Sequence, residues 1–176
     1  MRKKILILPS IFFFLILLIF FYLLKIERNP SNLPSNLLNK NAPIFVAKSL
    51  FKSKKFISSE EFKDETVLVN FFATWCKPCR DEHVYIKRFS SNKKIRIIGI
   101  NYKDKSDKTI EWLKNLGNPY SNVLIDRSGK IAIDWGVYGI PETFVVNSNG
   151  IIKYRHVGPV TNKIYKKINL IINKNE

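Results

Sequence analysis

Cysteine is scarce in this chain, with two in 176 residues. So few cysteines exclude a small secreted scaffold held together by disulfides, and alone they cannot form an all-cysteine zinc site. Acidic residues are also few: 14 Asp and Glu face 30 Lys and Arg, so the formal net charge is +16. The basic residues are spread along the whole chain without an arginine-rich run. We therefore interpret the charge as a solvated surface and expect no nucleic-acid partner.

The chain is nevertheless rich in hydrophobic residues, which make up 45% of it. That content excludes a disordered chain and allows a sizeable core. The length suits one ordinary domain with a short appendage. We divide the chain into a cytoplasmic N-terminus and membrane anchor (1–26), a linker (27–41) and a folded domain (42–176).

The predicted anchor is an uncharged stretch at residues 5–24, dominated by Ile, Leu and Phe. A helix of that length spans about 30 Å, which is the thickness of a bilayer core. Arg2, Lys3 and Lys4 precede it, and the positive-inside rule places such a flank in the cytoplasm. We expect a single-pass protein of a bacterial inner membrane whose C-terminal domain lies in the periplasm.

A cleaved signal peptide is the competing interpretation of the same segment. Signal peptides carry apolar cores of about 7–15 residues that end at a small-residue cleavage site. The stretch here is longer, and residues 25–30 offer no such site. The linker that follows is rich in Asn, Pro and Ser, a composition typical of a spacer between a membrane and a domain.

Hydrophobic patterning predicts alternating strands and helices in the domain. Residues 67–73 form a nearly continuous apolar run, as expected of a strand buried on both faces. A helix over 77–90 and a second central strand over 95–102 follow. The remaining predictions are strands at 44–47, 55–58, 123–125, 143–146 and 151–157, and helices at 106–115, 130–135 and the C-terminus. This order predicts an α/β sandwich around a mostly parallel sheet.

Cys76 and Cys79 form a Cys-x-x-Cys motif where the first central strand ends and a helix begins. A helix N-terminus carries free N–H groups and partial positive charge, which favour Cys76 as a thiolate, and Lys77 and Arg80 add to that charge. Cys79, one turn later, can close a disulfide with Cys76. Pro78 suits the first helical turn, where its missing N–H matters least. A redox-active dithiol is the favoured interpretation, with no metal and no other cofactor.

Two alternatives remain for the cysteine pair. A structural disulfide would close so small a ring that it would stabilise the fold only weakly. A metal-binding or metal-chaperone module would need further ligands, for which His83 and His156 are the candidates. Without a metal, His83 is expected to be a solvated helix residue and His156 a strand residue.

Several segments carry a family resemblance. The run VLVNFFATWCKPC resembles the active-site segment of the thioredoxin superfamily. Together with NYKD, WLKNLGNPY, GVYGIPETF and GIIKYRH, it resembles the membrane-anchored thiol:disulfide interchange proteins of cytochrome c maturation, the DsbE (CcmG) type. The likeness covers residues 42–158. It implies a thioredoxin-like α/β fold, a central mixed β-sheet flanked by helices, with one N-terminal transmembrane helix.

The resemblance also implies roles for residues around the dithiol. Pro141 is expected to be cis, in a loop that faces the cysteines, and Trp75 to pack beside them and shield the thiol. The alternatives are a trans proline opening a strand and a core tryptophan. Asn70 stands where thioredoxin-like proteins commonly bury an acid, and an amide cannot take a proton from the resolving thiol.

Glu82 and Glu142 match acidic positions of the family and are the candidates for that proton transfer. A carboxylate buried near Cys79 would have a raised pKa and could carry the proton of its thiol. The alternatives are an exposed charge at the start of the helix for Glu82 and a surface residue that shapes partner specificity for Glu142.

The implied function is reduction of disulfides in apocytochrome c before haem attachment, with a membrane electron donor that reduces the dithiol again. We expect a monomer. A general periplasmic thioredoxin-like reductase of another pathway is the alternative within the same chemistry. The direction of electron flow does not follow from the residues themselves, because dithiol potentials vary widely among proteins that share this motif.

Overall fold

A computed structural model describes residues 2–25, 37–51, 55–92 and 95–174. By its internal contacts the chain forms two units, Met1–Asn32 and Leu33–Glu176. The first contains the helix α1, Arg2–Lys25, with Pro9 inside it. This confirms a helix where the anchor is predicted. Among the described residues, however, no helix combines the length and the apolarity that a membrane crossing requires.

The second unit is built on a single seven-stranded sheet of order β2-β1-β5-β4-β3-β6-β7. Strands β3, β4 and β5 run parallel, and the other neighbouring pairs are antiparallel. The strands are β1 Val46–Ser49, β2 Phe56–Ser58, β3 Thr66–Phe72, β4 Ile95–Tyr102, β5 Asn122–Asp126, β6 Glu142–Val146 and β7 Ile152–Val157. The mixed sheet implied by the family resemblance is confirmed, whereas the mostly parallel sheet predicted from the element order is wrong, because four of the six neighbouring pairs of described strands are antiparallel.

Four helices accompany the sheet: α2 Lys77–Phe89, α3 Ser106–Leu116, α4 Lys130–Asp134 and α5 Asn162–Lys174. A turn of 3-10 helix, Ser59–Phe62, follows β2 and begins at a capping box formed by Ser58 and Glu61. Most of the predicted linker lies outside the described residues. Its last part does not behave as a spacer, because Asn39 donates from its backbone to Ile152 at 2.9 Å and Asn41 bridges to Ile151.

The central strand β3 is buried on both faces, apart from its first residue, Thr66, which is partly exposed. Alternate side chains of a strand point to opposite faces. Leu68 and Phe72 accordingly join a core with helices α2, α3 and α5. Val67, Val69 and Phe71 join a second core with α4 and Trp135. The cysteines belong to the first of these cores.

Gly99 makes room for an aromatic stack beside β3. The rings of Phe72 and Tyr120 stack at 4.8 Å, and a Cβ added at Gly99 would lie 2.9 Å from both. We expect Gly99→Ala to lower the free energy of unfolding by about 1–3 kcal/mol, because both neighbours are buried rings that cannot move aside freely. Urea unfolding measures this. Gly139→Ala is the matched control, since its Cβ would meet nothing within 4 Å, and an equal loss in the control would contradict the account.

Candidate active site

The two cysteines lie where the fold changes from β3 to α2. Cys76 is the N-cap of α2, and the backbone N–H of Cys79 donates to its Sγ at 3.2 Å. Pro78 lies in the first helical turn, as predicted. The two sulfurs are joined in a disulfide of 2.10 Å. Their side chains are largely covered, with exposed fractions of 5% for Cys76 and 2% for Cys79.

The loop before β6 approaches the disulfide from the other side. The Ile140–Pro141 peptide bond is cis, which confirms the prediction for Pro141. The carbonyl oxygen of Ile140 lies 3.7 Å from Cys76 Sγ. The loop is fastened to the end of β7 by the N–H of Gly158, which donates to the Pro141 carbonyl at 2.9 Å. Cys76 is therefore the sulfur that lies against the cis-proline loop.

Trp75 is 60% exposed, so the alternative of a core tryptophan is wrong. Its indole N–H donates to the carbonyl of Lys103 at 3.3 Å, and its ring lies 6.4 Å from that of Tyr102. Trp75 thus presents an aromatic surface next to the disulfide. The predicted shielding of the thiol stays a prediction.

Asp104 fixes the turn before Cys76, a role that the sequence analysis missed. Its carboxylate accepts from the backbone N–H of Thr74 at 2.6 Å and of Lys105 at 2.7 Å. Burial alone would raise the pKa of Asp104, but these bonds and those from the side chains of Thr74 and Asn101 outweigh it and lower the pKa. Asp104 ends the NYKD segment, so its place in that motif was the available signal.

Glu82 is buried, with 1% of its surface exposed, so the alternative of an exposed helix charge is wrong. It lies one helical turn after Cys79, on the same face of α2. One carboxylate oxygen accepts from the side-chain amide of Asn70 and the other from the backbone N–H of Val160, both at 2.8 Å. Burial raises the pKa of Glu82 to about 8, although these two hydrogen bonds oppose the shift. Glu82 is therefore mostly protonated at neutral pH.

Asn70 connects Glu82 to two hydroxyl groups. Its amide nitrogen also donates to the Thr143 hydroxyl oxygen at 3.0 Å, and its amide oxygen accepts from the Tyr120 hydroxyl at 2.8 Å. Burial, and then the nearby charge of Glu82, raise the pKa of Tyr120 well above its usual value, so the phenol stays protonated. The Asn70 amide cannot serve as the buried acid, but its hydrogen bond orients Glu82, which is the buried acid of this site.

Glu142 is fully buried, which overturns the alternative of a surface residue. It pairs with Phe71 in the sheet, whereas Thr143 pairs with Asn70, so its side chain points to the face opposite Glu82. There it forms an ion pair with Arg155 and accepts from the backbone N–H of Tyr138 at 3.1 Å. Burial raises the pKa of Glu142, and the Arg155 ion pair opposes that shift. Sequence reasoning missed Arg155, although it lies within the GIIKYRH segment.

His83 and His156 are both buried, so the expectation of a solvated His83 is wrong. His83 Nε2 lies 2.8 Å from the carbonyl of Gly117, and His156 Nε2 lies 3.1 Å from that of Pro159. Burial lowers the pKa of both rings. Within the described ranges, no three His, Cys, Asp or Glu side chains converge in a way that could hold a metal ion.

Comparison with known proteins identifies this arrangement. The Redoxin family model matches residues 38–169. The thiol:disulfide interchange protein DsbE of Escherichia coli is 40% identical over 173 residues, covering 95% of this chain and 92% of its own length. CycY of Rhizobium leguminosarum, also a thiol:disulfide interchange protein, is 44% identical over 135 residues, covering 77% of this chain and 73% of its own. The chain belongs to the DsbE family of thiol:disulfide interchange proteins.

Solved structures agree on the fold of this DsbE family member. A putative DsbE from Chlorobium tepidum superposes with a TM-score of 0.70, covering 78% of this chain and 96% of its own at 20% identity. The thioredoxin-like fold is thereby shown. The relatives make the chain a thiol–disulfide oxidoreductase, and Cys76 and Cys79, its two cysteines, are joined in a disulfide.

Proposed function

We propose that this protein reduces the disulfide of apocytochrome c before haem attachment, as part of cytochrome c biogenesis. The observation that supports the proposal most is the position of Cys76, which caps α2 and faces the carbonyl of Ile140 in the cis-proline loop. A loop of this kind can pair its backbone with an extended polypeptide that carries a disulfide. A thiolate at Cys76 is stabilised by the helix N-terminus and by the N–H of Cys79.

The reaction begins with the reduced pair. The Cys76 thiolate attacks one sulfur of the partner disulfide; a Cys76–partner disulfide forms and the other partner sulfur leaves as a thiolate. Cys79 then loses its proton and attacks Cys76 Sγ, releasing the remaining partner sulfur as a second thiolate. Both partner sulfurs take up protons. Two electrons have passed to the partner, and Cys76 and Cys79 are left as the disulfide seen here.

Glu82 is the group proposed to carry the proton of Cys79. Its pKa of about 8 leaves part of the Glu82 population ionised near neutral pH, so the carboxyl group can both accept a proton and return one. The ionised carboxylate accepts the proton when Cys79 attacks. The protonated acid returns it when an electron donor opens the disulfide and Cys79 leaves. Glu142 faces the other side of the sheet and is proposed to support the cis-proline loop instead.

The proposed location is the periplasmic side of the inner membrane, with the N-terminus in the cytoplasm. Support comes from the uncharged residues 5–24 and their basic flank. The match to Escherichia coli DsbE covers 95% of the chain, so it extends into this segment. A membrane protein would supply electrons to the dithiol. The protein would act as a monomer, with the dithiol as its only redox group.

Trapping of the mixed disulfide tests this proposal. In cells, Cys79→Ser should accumulate a covalent complex with apocytochrome c, because Cys76 can attack the partner but nothing can resolve the product. Cys76→Ser is the matched control and should capture nothing. Capture of many unrelated envelope proteins without apocytochrome c would contradict the assignment and favour a general periplasmic reductase.

A further inference from the structure

The two hydrogen bonds of the Glu82 carboxylate differ in the kind of group that donates them. Both are donated to it, one by the backbone N–H of Val160 and one by the side-chain amide of Asn70. Such a pair suits an ionised carboxylate, which only accepts hydrogen bonds. A protonated carboxyl must also donate one. The backbone N–H cannot become an acceptor, whereas a side-chain amide can exchange its nitrogen and oxygen by turning over.

The hydroxyl groups beside Asn70 can pair with its amide in either orientation. Two of its three hydrogen-bond neighbours are hydroxyl groups, on Tyr120 and Thr143, and a hydroxyl both donates and accepts. In the reversed orientation the amide oxygen would accept from the protonated Glu82 and from Thr143. The amide nitrogen would then donate to the Tyr120 hydroxyl oxygen. The amide nitrogen and oxygen exchange places, and the heavy atoms of the three hydrogen-bond partners keep theirs.

We propose that Asn70 is a positioning residue whose side-chain amide reverses each time Glu82 gains or loses its proton, while the Tyr120 and Thr143 hydroxyls exchange donor and acceptor roles. The inference rests on the proton-carrying role proposed for Glu82. The reversal would let the acid be satisfied in both of its states, although it is buried away from water. An acid held by fixed donors alone would be satisfied in only one state.

The other titratable groups around Glu82 do not pair with both of its protonation states. Cys79 and His83 share helix α2 with it, and His83 is engaged with the Gly117 carbonyl. His156, on β7, is engaged with the carbonyl of Pro159. The lysines at the start of α5 are exposed, and Glu142 points to the opposite face of the sheet. Burial and the two hydrogen bonds dominate the pKa of Glu82, with no ion pair among its causes.

Two substitutions should move the pKa of Glu82 in opposite directions. Asn70→Leu removes the donor to the carboxylate and the acceptor for the acid; because the hydrogen bond to the charged form is the stronger one, the pKa should rise by roughly half a unit to one unit. Tyr120→Phe removes the hydroxyl. The ionised state then has an amide oxygen without a donor, whereas the protonated state loses the acceptor of its amide N–H. Orphaned N–H groups are the less tolerated of the two, so the pKa should fall by a similar amount.

The experiment is a titration of the full chain in detergent micelles, oxidised and labelled with ¹³C at the glutamate carboxyl carbons. The Glu82 signal is assigned as the one missing from Glu82→Gln. Asn101→Leu is the matched control, because Asn101 is an equally buried amide on the next strand that donates to Asp104. It should leave the pKa of Glu82 unchanged.

The direction in which Tyr120→Phe shifts the pKa of Glu82 tests whether the Asn70 amide reverses. A fixed amide would be weakened as a donor by loss of the hydroxyl, so the pKa of Glu82 would rise or stay in place, and either result would overturn the proposal. A shift in Asn101→Leu equal to that in Asn70→Leu would overturn it too. Neither result depends on which substrate the protein reduces, so the proposed function and this inference can fail separately.

Discussion

Replacing Glu82 by Gln should make the oxidised protein clearly more stable than the wild type above pH 8. The pKa of Glu82 is about 8 in the folded state against 4.5 as the ordinary value. The folded protein therefore holds a proton that the unfolded chain releases. Glu82 makes its full contribution to the free energy of unfolding below pH 4.5, and this contribution is lost as the pH rises to about 8. At about 1.4 kcal/mol per pKa unit, the loss is on the order of 5 kcal/mol.

The Glu82→Gln variant should not lose this stability as the pH rises, because Gln resembles the protonated acid and does not ionise. The measurement is the free energy of unfolding in urea between pH 5 and pH 9 for both proteins. The two should be nearly equal at pH 5 and diverge towards pH 9. Glu111→Gln, on the exposed side of α3, is the control and should follow the wild type. Parallel curves for Glu82→Gln and the wild type would contradict a buried acid with a raised pKa.

The same substitution should slow thiol–disulfide exchange. If Glu82 moves the proton of Cys79, its loss should reduce the rate of reduction of the disulfide by about 10²-fold or more, the usual contribution of a positioned acid. The wild-type rate per attacking thiolate should also fall above pH 8, where Glu82 loses its proton, and the variant should lack that fall. Stopped-flow fluorescence with a small dithiol follows both rates. A variant as fast as the wild type at every pH would exclude proton transfer by Glu82.

Arg155→Met should cause the second large effect. It leaves the Glu142 carboxyl buried without its cation, a change that lowers stability by about 3–5 kcal/mol. The pKa of Glu142 is already raised by burial and should rise further without Arg155. The loss should therefore be greatest above pH 7 and shrink as the pH falls and Glu142 becomes neutral. Urea unfolding at pH 5 and pH 8 measures both features.

Two further variants sharpen this prediction. Glu142→Gln combined with Arg155→Met removes both charges and should recover most of the stability. Lys130→Met is the matched single control: its ion pair with Asp134 is exposed, so the change should be at most about 0.5 kcal/mol. A loss in Arg155→Met as small as that in Lys130→Met would show that the buried pair does not hold the loop.

Local patterns predicted the elements of the fold well. Strand β3 and helix α2 are determined by residues that are adjacent in sequence. Their apolar patterns could therefore be recognised directly. The strand Ile95–Tyr102 has the predicted bounds. The cis bond at Pro141 followed from the resemblance of GVYGIPETF rather than from any local rule.

The buried polar groups could not be predicted in the same way. Asn70 meets Thr143 and Tyr120 across 73 and 50 positions of chain, and the N–H that Glu82 accepts comes from Val160, 78 positions away. Whether a carboxylate is exposed or buried depends on such distant segments. For Glu82 and Glu142 the sequence therefore left two interpretations open, and for His83 it favoured the wrong one.

The reduction potential of the Cys76–Cys79 pair tests the central claim most directly. The full chain would be equilibrated with a series of glutathione or dithiothreitol buffers at pH 7, and the oxidised fraction measured by thiol alkylation. A reductase should have a potential towards that of thioredoxin, about −270 mV, so that electrons flow to partner disulfides. A potential near that of a strong oxidant, about −120 mV, would contradict the account.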